Sequence, residues 1–158
     1  MIAYEGFVDT VYDALLLFEA FSLKKIPGVT RRLTRDERER IGSGMIFIWD
    51  EDEAGILRWT DGRRWSSSRP CGNFIYTWHA MQDSNVPPSR FHNTARNHYP
   101  VLRGGLIKRA LSINTADGRR MHLVSYYTAA QIEEKRLSIP RQDPKLQTIQ
   151  IRRHLYPE

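Results

Sequence analysis

The side chains best suited to chemistry lie in the segment 58–66, whose sequence is RWTDGRRWS. An Asp-Gly pair lies between two tryptophans there, with three arginines around it. Asp-Gly between apolar residues favours a two-residue hairpin turn, because glycine accepts the positive φ that such turns require. The guanidinium groups would project from the narrow tip of that hairpin, where they could enter an A·T-rich minor groove and its concentrated negative potential. The segment therefore predicts a hairpin that reads duplex DNA.

The individual side chains suggest separate roles within this segment. Arg63 and Arg64 are predicted to contact the groove, although strand alternation would point them differently, so one of them could hold a phosphate or pack on a tryptophan instead. Trp59 and Trp65 are expected mainly to support the fold. Hydroxyl groups near the tip would donate to phosphates or sugars. The predicted DNA-contacting set in this part of the chain is Thr60, Asp61, Gly62, Arg63, Arg64, Trp65, Ser66, Ser67 and Arg69.

Two further basic groups are candidates for DNA contact. If the first group, near the end of the first helix, lies beside the hairpin, it would bind phosphates or reach bases in the neighbouring major groove. Phosphate contacts position a protein on DNA, and base contacts specify the sequence. A solvated basic turn would explain the same residues. In the second group, only one of two adjacent residues can share the strand face that meets DNA. The first group comprises Lys24, Lys25, Arg31 and Arg32, and the second comprises Lys108 and Arg109.

Length and composition agree with a small nucleic-acid-binding domain. The chain has 158 residues and a formal net charge of +6, which suits one domain, or two small halves sharing a core, with a surface for polyanions. Cys71 is the only cysteine, so an internal disulfide or a cysteine-rich zinc site is excluded and an intracellular protein is expected. Charged residues interrupt the apolar stretch 8–23, so no membrane span is expected.

No set of residues has the spacing that catalysis requires. The five histidines show no metal-binding spacing, and the glycines form neither a Walker loop nor a dinucleotide-binding motif. The acidic run 50–53 could supply paired carboxylates, but a solvated acidic turn explains it more simply. We therefore expect no enzyme activity, no cofactor and no metal ion.

Short helices and several strands are predicted along the chain. Capping patterns at Thr10, Thr34 and Thr128 predict helix N-termini. Apolar and alternating runs predict strands at 45–49, 56–59, 73–78, 106–113, 119–127 and 146–151, and the alternation within 119–127 predicts one wetter face. The first helix is expected to bury a stripe that consists of Val8, Val11, Tyr12, Leu15 and Phe18.

Two features each admit two interpretations. Thr34 follows Arg31 and Arg32 and so fits a basophilic kinase site, but a role as a helix cap alone is the simpler interpretation. The tetrapeptide Asp-Gly-Arg-Arg occurs twice, at 61–64 and at 117–120. Chance recurrence of a common turn is the simpler explanation, and a pseudo-repeat of two similar sheets is the more specific one.

Ordered motifs over most of the chain closely resemble the WOPR-domain family of fungal transcription regulators, which includes switches of white–opaque and yeast–hyphal development. Besides 58–66, the resemblance in the first half lies in 6–8, 11–20, 29–33, 47–51, 66–69 and 72–74. In the second half it lies in 105–109 and 122–127. Two features depart from the family pattern, namely a short connection between the halves and the presence of Pro70 and Cys71 after the predicted hairpin.

The resemblance implies an α+β, sheet-dominated fold in which two small β-rich halves with short helices intertwine into one globular DNA-binding unit. The halves would span 1–79 and 104–158, with a variable linker at 80–103. It also implies a nuclear transcription regulator of fungal morphological switching that binds an A·T-rich double-stranded DNA site, with both halves contributing. We expect it to bind as a monomer, with other transcription regulators as potential partners.

Two other functions are compatible with these residues. A single-stranded RNA or DNA binder would use the tryptophans and tyrosines as stacking platforms, and a clear preference for duplex DNA would reject it. A protein-interaction module would present its basic face to an acidic partner. Salt-dependent DNA binding without any sequence preference would leave that third function open.

Overall fold

The computed structural model describes residues 2–66, 69–72, 74–78, 105–134 and 137–157. Its strands are β1 (Tyr4–Glu5), β2 (Met45–Asp50), β3 (Arg69–Cys71), β4 (Phe74–Trp78), β5 (Ile107–Asn114) and β6 (Arg120–Tyr127). Its helices are α1 (Val11–Ser22), α2 (Arg35–Glu39), α3 (Glu51–Ala54) and α4 (Ala129–Glu133), with 3₁₀ turns at Pro140–Gln142 and Arg153–Leu155. No helix within these ranges is long and apolar enough to cross a membrane.

The six described strands form one antiparallel sheet in the order β1-β2-β6-β5-β4-β3. Ile46 of β2 lies opposite Ser125 of β6, and Ala110 of β5 lies opposite Val124. The β5–β6 hairpin therefore lies between two strand pairs contributed by the first half of the chain. This arrangement confirms the α+β class. The pseudo-repeat of two similar sheets is wrong for the described residues, because backbone pairing joins strands of both halves into a single sheet.

Four of the predicted strands are confirmed, since 45–49, 73–78, 106–113 and 119–127 correspond to β2, β4, β5 and β6. The strand predicted at 56–59 is wrong, because those residues form an irregular loop. The strand predicted at 146–151 is also wrong. There, Leu146 N donates to Asp143 O at 3.0 Å and Ile149 N donates to Leu146 O at 3.1 Å, so successive turns bring both apolar side chains to the same core.

The acidic run 50–53 forms the start of α3 and not a simple turn. The side chain of Asp50 caps this helix by accepting hydrogen bonds from Asp52 N at 2.9 Å and from Glu53 N at 3.4 Å. Gly55 ends the helix with φ at 67°, a left-handed conformation that glycine adopts at low cost. The chain then turns back over the sheet.

Both faces of the sheet are covered by other parts of the chain. Met121 and Leu123 of β6 belong to the core on the α1 side. Val124 and Tyr126 of the same strand are 4% and 0% exposed, in a second core on the opposite face. The expectation of one wetter face for this strand is therefore wrong, because the residues around α2 and the loop after α3 cover that face.

Helix α1 begins at the predicted capping box. Asp13 N donates to Thr10 Oγ1 at 3.3 Å, and Thr10 N donates to Asp13 Oδ2 at 2.9 Å. The predicted buried stripe is only partly right, since Tyr12 is 47% exposed whereas Leu17 and Glu19 are fully buried. Apolar spacing underestimates the buried surface of this helix because the C-terminal segment 140–156 packs against a second side of it.

Glu19 shows how that C-terminal segment is held. Arg152 donates to its carboxylate from the backbone N at 2.7 Å, from Nε at 3.0 Å and from Nη2 at 2.7 Å. Tyr156 Oη donates to it at 3.1 Å. Burial by itself raises the pKa of Glu19, but the donors outweigh burial and hold the pKa below its ordinary value.

We expect Glu19→Gln to lower the free energy of unfolding by about 1–2 kcal/mol near neutral pH, because charge-assisted hydrogen bonds are lost from a buried site. The folded-state pKa of Glu19 lies below the unfolded value of about 4.3. The extra unfolding free energy of wild type over Glu19→Gln is therefore fully present above the unfolded value. It is lost as the pH falls through the folded-state pKa.

Urea unfolding near pH 7 and near pH 3 checks this expectation, and the two proteins should differ much more at the higher pH. Glu39→Gln is the control, because the side chain of Glu39 is 63% exposed and pairs with Arg35 on the same helix. An equal loss of stability for Glu19→Gln at both pH values would contradict the prediction.

Candidate nucleic-acid interface

The segment 56–66, which we call the arginine loop, crosses the face of the sheet opposite α1. Gly62 has φ at 74°, as the predicted turn requires. The turn itself forms because Arg63 N donates to Asp61 Oδ1 at 3.1 Å. The two arms do not pair as strands, so the predicted hairpin is wrong. Side-chain contacts with the sheet hold much of the loop in place.

Tryptophan packing fixes the first arm of the arginine loop. The ring of Trp59 stacks on Trp49 of β2, with centroids 4.8 Å apart, and lies 5.1 Å from Phe47. Trp59 Nε1 donates to Tyr126 Oη at 2.6 Å. Trp49 Nε1 donates to the carbonyl oxygen of Ile56 at 3.0 Å, which fixes the start of the loop. The aromatic side chains thus face the sheet, where they support the loop.

Asp61 lies at the centre of a buried hydrogen-bond network. It is 6% exposed, and its Oδ1 accepts from Trp65 Nε1 at 3.0 Å in addition to Arg63 N. Its Oδ2 accepts from Tyr126 Oη at 2.6 Å and forms an ion pair with Lys108 Nζ at 3.3 Å. Burial raises the pKa of Asp61, but the charge of Lys108 and the hydrogen bonds lower it more, so the carboxyl stays ionised. Asp61, predicted as part of a DNA-facing tip, is instead the internal anchor of the loop.

Lys108 and Arg109 project to opposite faces of β5, as alternation requires. Both side chains contact other residues inside the protein. Lys108 is 18% exposed in its side chain and lies 4.4 Å above the Trp65 ring. Burial lowers the pKa of Lys108, and the charge of Asp61 opposes that shift. These contacts favour a structural role for Lys108 over the predicted contact with DNA.

Arg109 is only 8% exposed. Its guanidinium donates to the backbone carbonyls of Val8 and Asp9. It also lies 4.9 Å from the Phe7 ring centroid and 4.8 Å from that of Phe74. The predicted DNA contact of Arg109 is therefore at odds with its position, and the side chain joins β5 to the chain that enters α1.

The two adjacent arginines of the loop have different surroundings. Arg63 Nη2 donates to the carbonyl oxygen of Ile41 at 2.8 Å and to that of Arg38 at 3.5 Å, where α2 ends. A cation at this end of a helix also complements the helix dipole. Arg64, by contrast, is exposed, as are Thr60 and Gly62. The solvent-facing residues of the loop are therefore Leu57, Arg58, Thr60, Gly62 and Arg64.

The basic group predicted near the first helix is divided between two places. Arg32 lies beside the arginine loop, because it lines a small cleft together with Thr60. Arg31 is exposed and forms two hydrogen bonds with Glu37, at 2.8 Å and 3.2 Å. Lys24 and Lys25 line a different cleft, which they share with Asp50 and Glu53. The structure thus brings Arg32 beside the loop, pairs Arg31 with α2, and places the two lysines at another cleft.

Comparison with known proteins assigns the family. Residues 3–89 match the model of the Gti1/Pac2 family. The chain belongs to this family. It is 35% identical over 198 residues to the cAMP-independent regulatory protein pac2 of Schizosaccharomyces pombe. That alignment covers the whole chain and 83% of the pac2 protein. It is 30% identical over 194 residues to the global transcription regulator sge1 of Gibberella fujikuroi, covering 92% of the chain but only 58% of that relative.

Solved structures of a WOPR domain also match this member of the Gti1/Pac2 family. The WOPR domain of Wor1 from Candida albicans, solved in complex with a 13 bp double-stranded DNA, superposes with a TM-score of 0.76 at 27% identity. The match covers 96% of the chain and 91% of that domain. The predicted resemblance to the WOPR family is confirmed, and a relative named as a transcription regulator agrees with the prediction that the chain is not an enzyme.

Three of the remaining predicted residues lie within the described part of the chain. Ser66 is buried, Arg69 is exposed on β3, and Thr34 is an exposed cap whose kinase-site interpretation remains a prediction. Ser67 lies outside the described residues. Sequence reasoning did not single out Tyr126, which joins Trp59 to Asp61, or Arg38, which lies beside Gly62. The spacing of two between Val124 and Tyr126 was the available signal, since it places both residues on one face of β6.

Proposed function

We propose that this member of the Gti1/Pac2 family is a fungal transcription regulator that binds double-stranded DNA in a sequence-specific manner. The observation that carries the proposal is the match of 96% of the chain to a WOPR domain solved with double-stranded DNA. A formal net charge of +6 suits the same ligand. The position of the arginine loop adds a physical mechanism.

In this proposal the arginine loop reads an A·T-rich minor groove. A guanidinium sheds water more easily than an ammonium group, and a narrow A·T-rich groove concentrates negative potential. Arg64 is exposed on a loop whose backbone is held by Trp59 and Asp61. Little conformational entropy then has to be lost on binding. Arg63 would contribute through its contact with the end of α2, which sets the path of the loop.

The proposal also covers how the two halves act together, the oligomeric state and the cellular role of the protein. The two halves, 1–79 and 104–158, would act as one cooperative unit across the linker 80–103, and the protein would bind as a monomer. The ion pair between Asp61 and Lys108 supports this view, because each half contributes one of its charges. A regulator of this kind would work in the nucleus, with a role in morphological switching.

Fluorescence anisotropy with an A·T-rich and a G·C-rich duplex of equal length, at two salt concentrations, tests this function. Wild type should prefer the A·T-rich duplex, and Arg64→Ala should lose about 1–3 kcal/mol of that discrimination if the side chain reads the groove. Arg153→Ala is the matched control, because it removes the same charge from an exposed 3₁₀ turn in the C-terminal segment, which covers the opposite face of the sheet. Thermal melts verify that each variant is folded.

Each alternative outcome points to a different function. Equal, salt-sensitive binding of wild type to both duplexes would reject groove reading and favour a basic surface for an acidic partner. Tighter binding to single strands would favour a stacking protein, although the packing of Trp59 on Trp49 leaves that ring facing the sheet. Equal discrimination by wild type and folded Arg64→Ala would remove Arg64 from the reading mechanism.

A further inference from the structure

A small cleft lies beside the arginine loop, at the junction of the loop with α2. Its cavity of about 50 Å³ is lined by Arg32, Leu33, Arg38, Ile56, Trp59 and Thr60. Two arginines and one threonine thus line the cleft together with three apolar residues, and none of the described lining residues is acidic. A water molecule occupies about 30 Å³ of liquid, so the cleft has room for phosphate oxygens.

The charges around α2 leave this cleft positive. The acids Glu37 and Glu39 of this helix pair with Arg31 and Arg35, respectively, and the third acid, Asp36, is not among the residues that line the cleft. Within the part of the chain that the structure describes, neither Arg32 nor Arg38 forms an ion pair. Guanidinium donors match the oxygens of a phosphate in both charge and geometry.

Contacts between the loop and α2 fix the position of the cleft relative to the groove-reading residues. Arg63 donates to the carbonyl oxygens of Arg38 and Ile41. Gly62 lies so close that a Cβ added there would be 3.9 Å from Arg38 Nε. A ligand in the cleft is therefore held at a set distance from the exposed Arg64.

We propose that Arg38, together with Arg32 and Thr60, binds one backbone phosphate of duplex DNA beside the groove that the arginine loop enters. This inference rests on the proposed function and names a second point of contact for the same ligand. A phosphate contact carries no sequence information but fixes the register of the protein on the duplex. Arg38 would thus add affinity for any duplex beside the base contacts of Arg64.

Arg38→Ala and Arg35→Ala form the experimental pair. Both remove one arginine from the same five-residue helix, but Arg35 is 83% exposed and pairs with Glu39. Anisotropy titrations of the A·T-rich duplex from about 50 to 200 mM salt give the slope of log Kd against log salt. Arg38→Ala should reduce that slope by about 1, so the loss of affinity over this range becomes about fourfold smaller than in wild type.

Three further results complete the test. Arg35→Ala should retain the wild-type slope, Arg38→Lys should retain most of it because the charge remains, and Arg38→Ala should keep the A·T to G·C preference. Equal slopes for Arg38→Ala and Arg35→Ala in folded proteins would overturn the phosphate site. Loss of sequence preference in Arg38→Ala with an unchanged slope would overturn it in favour of base reading. Failure of wild type to bind any duplex would instead refute the proposed function itself.

Discussion

Asp61→Ala is expected to lower the free energy of unfolding by about 3 kcal/mol and to abolish the preference for A·T-rich DNA in the protein that remains folded. The substitution leaves Lys108 buried without its counter-ion and removes the acceptor for Tyr126 Oη, Trp65 Nε1 and Arg63 N. Because these contacts hold the turn of the arginine loop, the loop should lose its fixed path. Urea unfolding measures the first effect, and anisotropy at low temperature measures the second.

The second copy of the tetrapeptide offers a matched control for this prediction. Asp117 occupies the same position in its Asp-Gly-Arg-Arg sequence, but its side chain is 46% exposed. Among the described residues its hydrogen-bond partners are Thr115 and Arg119 of its own turn. Asp117→Ala should therefore change stability and DNA preference little. Similar effects of Asp61→Ala and Asp117→Ala would contradict the assignment of Asp61 as the anchor of the loop.

A double-mutant cycle separates the ion pair from the remaining hydrogen bonds. Asp61→Asn and Lys108→Met should each destabilise the protein, since each leaves one charge buried and unpaired. The combined variant should recover much of the lost stability, because both charges are removed together. It should still fail to discriminate between duplexes. The amide of Asn has only one oxygen, so it cannot accept all the hydrogen bonds that the Asp61 carboxylate accepts. Strictly additive losses of stability would show that the two charges do not interact.

Trp49→Ala is expected to cost about 3–5 kcal/mol of unfolding free energy, the usual range for removing a large buried aromatic side chain. Trp49 is 2% exposed and stacks on both Trp59 and His122, at centroid distances of 4.8 and 4.9 Å. Its loss would leave a cavity under the start of the arginine loop and free the carbonyl oxygen of Ile56. Urea unfolding gives the stability directly.

Two comparison variants test where that energy originates. Trp49→Phe retains an aromatic ring but lacks the Nε1 donor, so it should cost about 1–3 kcal/mol through the unpaired carbonyl of Ile56. Leu57→Ala changes an apolar side chain in the same loop that is 71% exposed, and it should stay within about 0.5 kcal/mol of wild type. A loss for Trp49→Ala no larger than that for Leu57→Ala would contradict the packing described above.

Local sequence rules succeed where neighbours along the chain supply the interaction. The caps at Thr10, Thr34 and Thr128 could be predicted because each hydroxyl accepts from a backbone N–H three residues later. The main strands could be predicted because apolar runs and turn residues mark them. The turn at Gly118 was found for the same reason, since Asp-Gly lies between two alternating segments.

The same rules fail where a partner comes from far along the chain. The stripe predicted on α1 did not include Glu19, because its partners Arg152 and Tyr156 lie at the other end of the sequence. Residues 56–59 looked like a strand because three of the four are apolar. Leu57 is in fact exposed, and Ile56 and Trp59 pack from a loop onto the face of a sheet that other strands build.

The sequence alone thus identified the family, the helix starts, the main strands and the basic segment that bears Arg63 and Arg64. It could not distinguish the two Asp-Gly-Arg-Arg turns, which are identical in covalent structure. One is exposed at 117–120, and the other is anchored in a buried network at 61–64, because Tyr126 and Lys108 approach it from strands distant in sequence. A buried carboxylate is stable only where such donors offset its desolvation, and the fold alone brings those donors to Asp61.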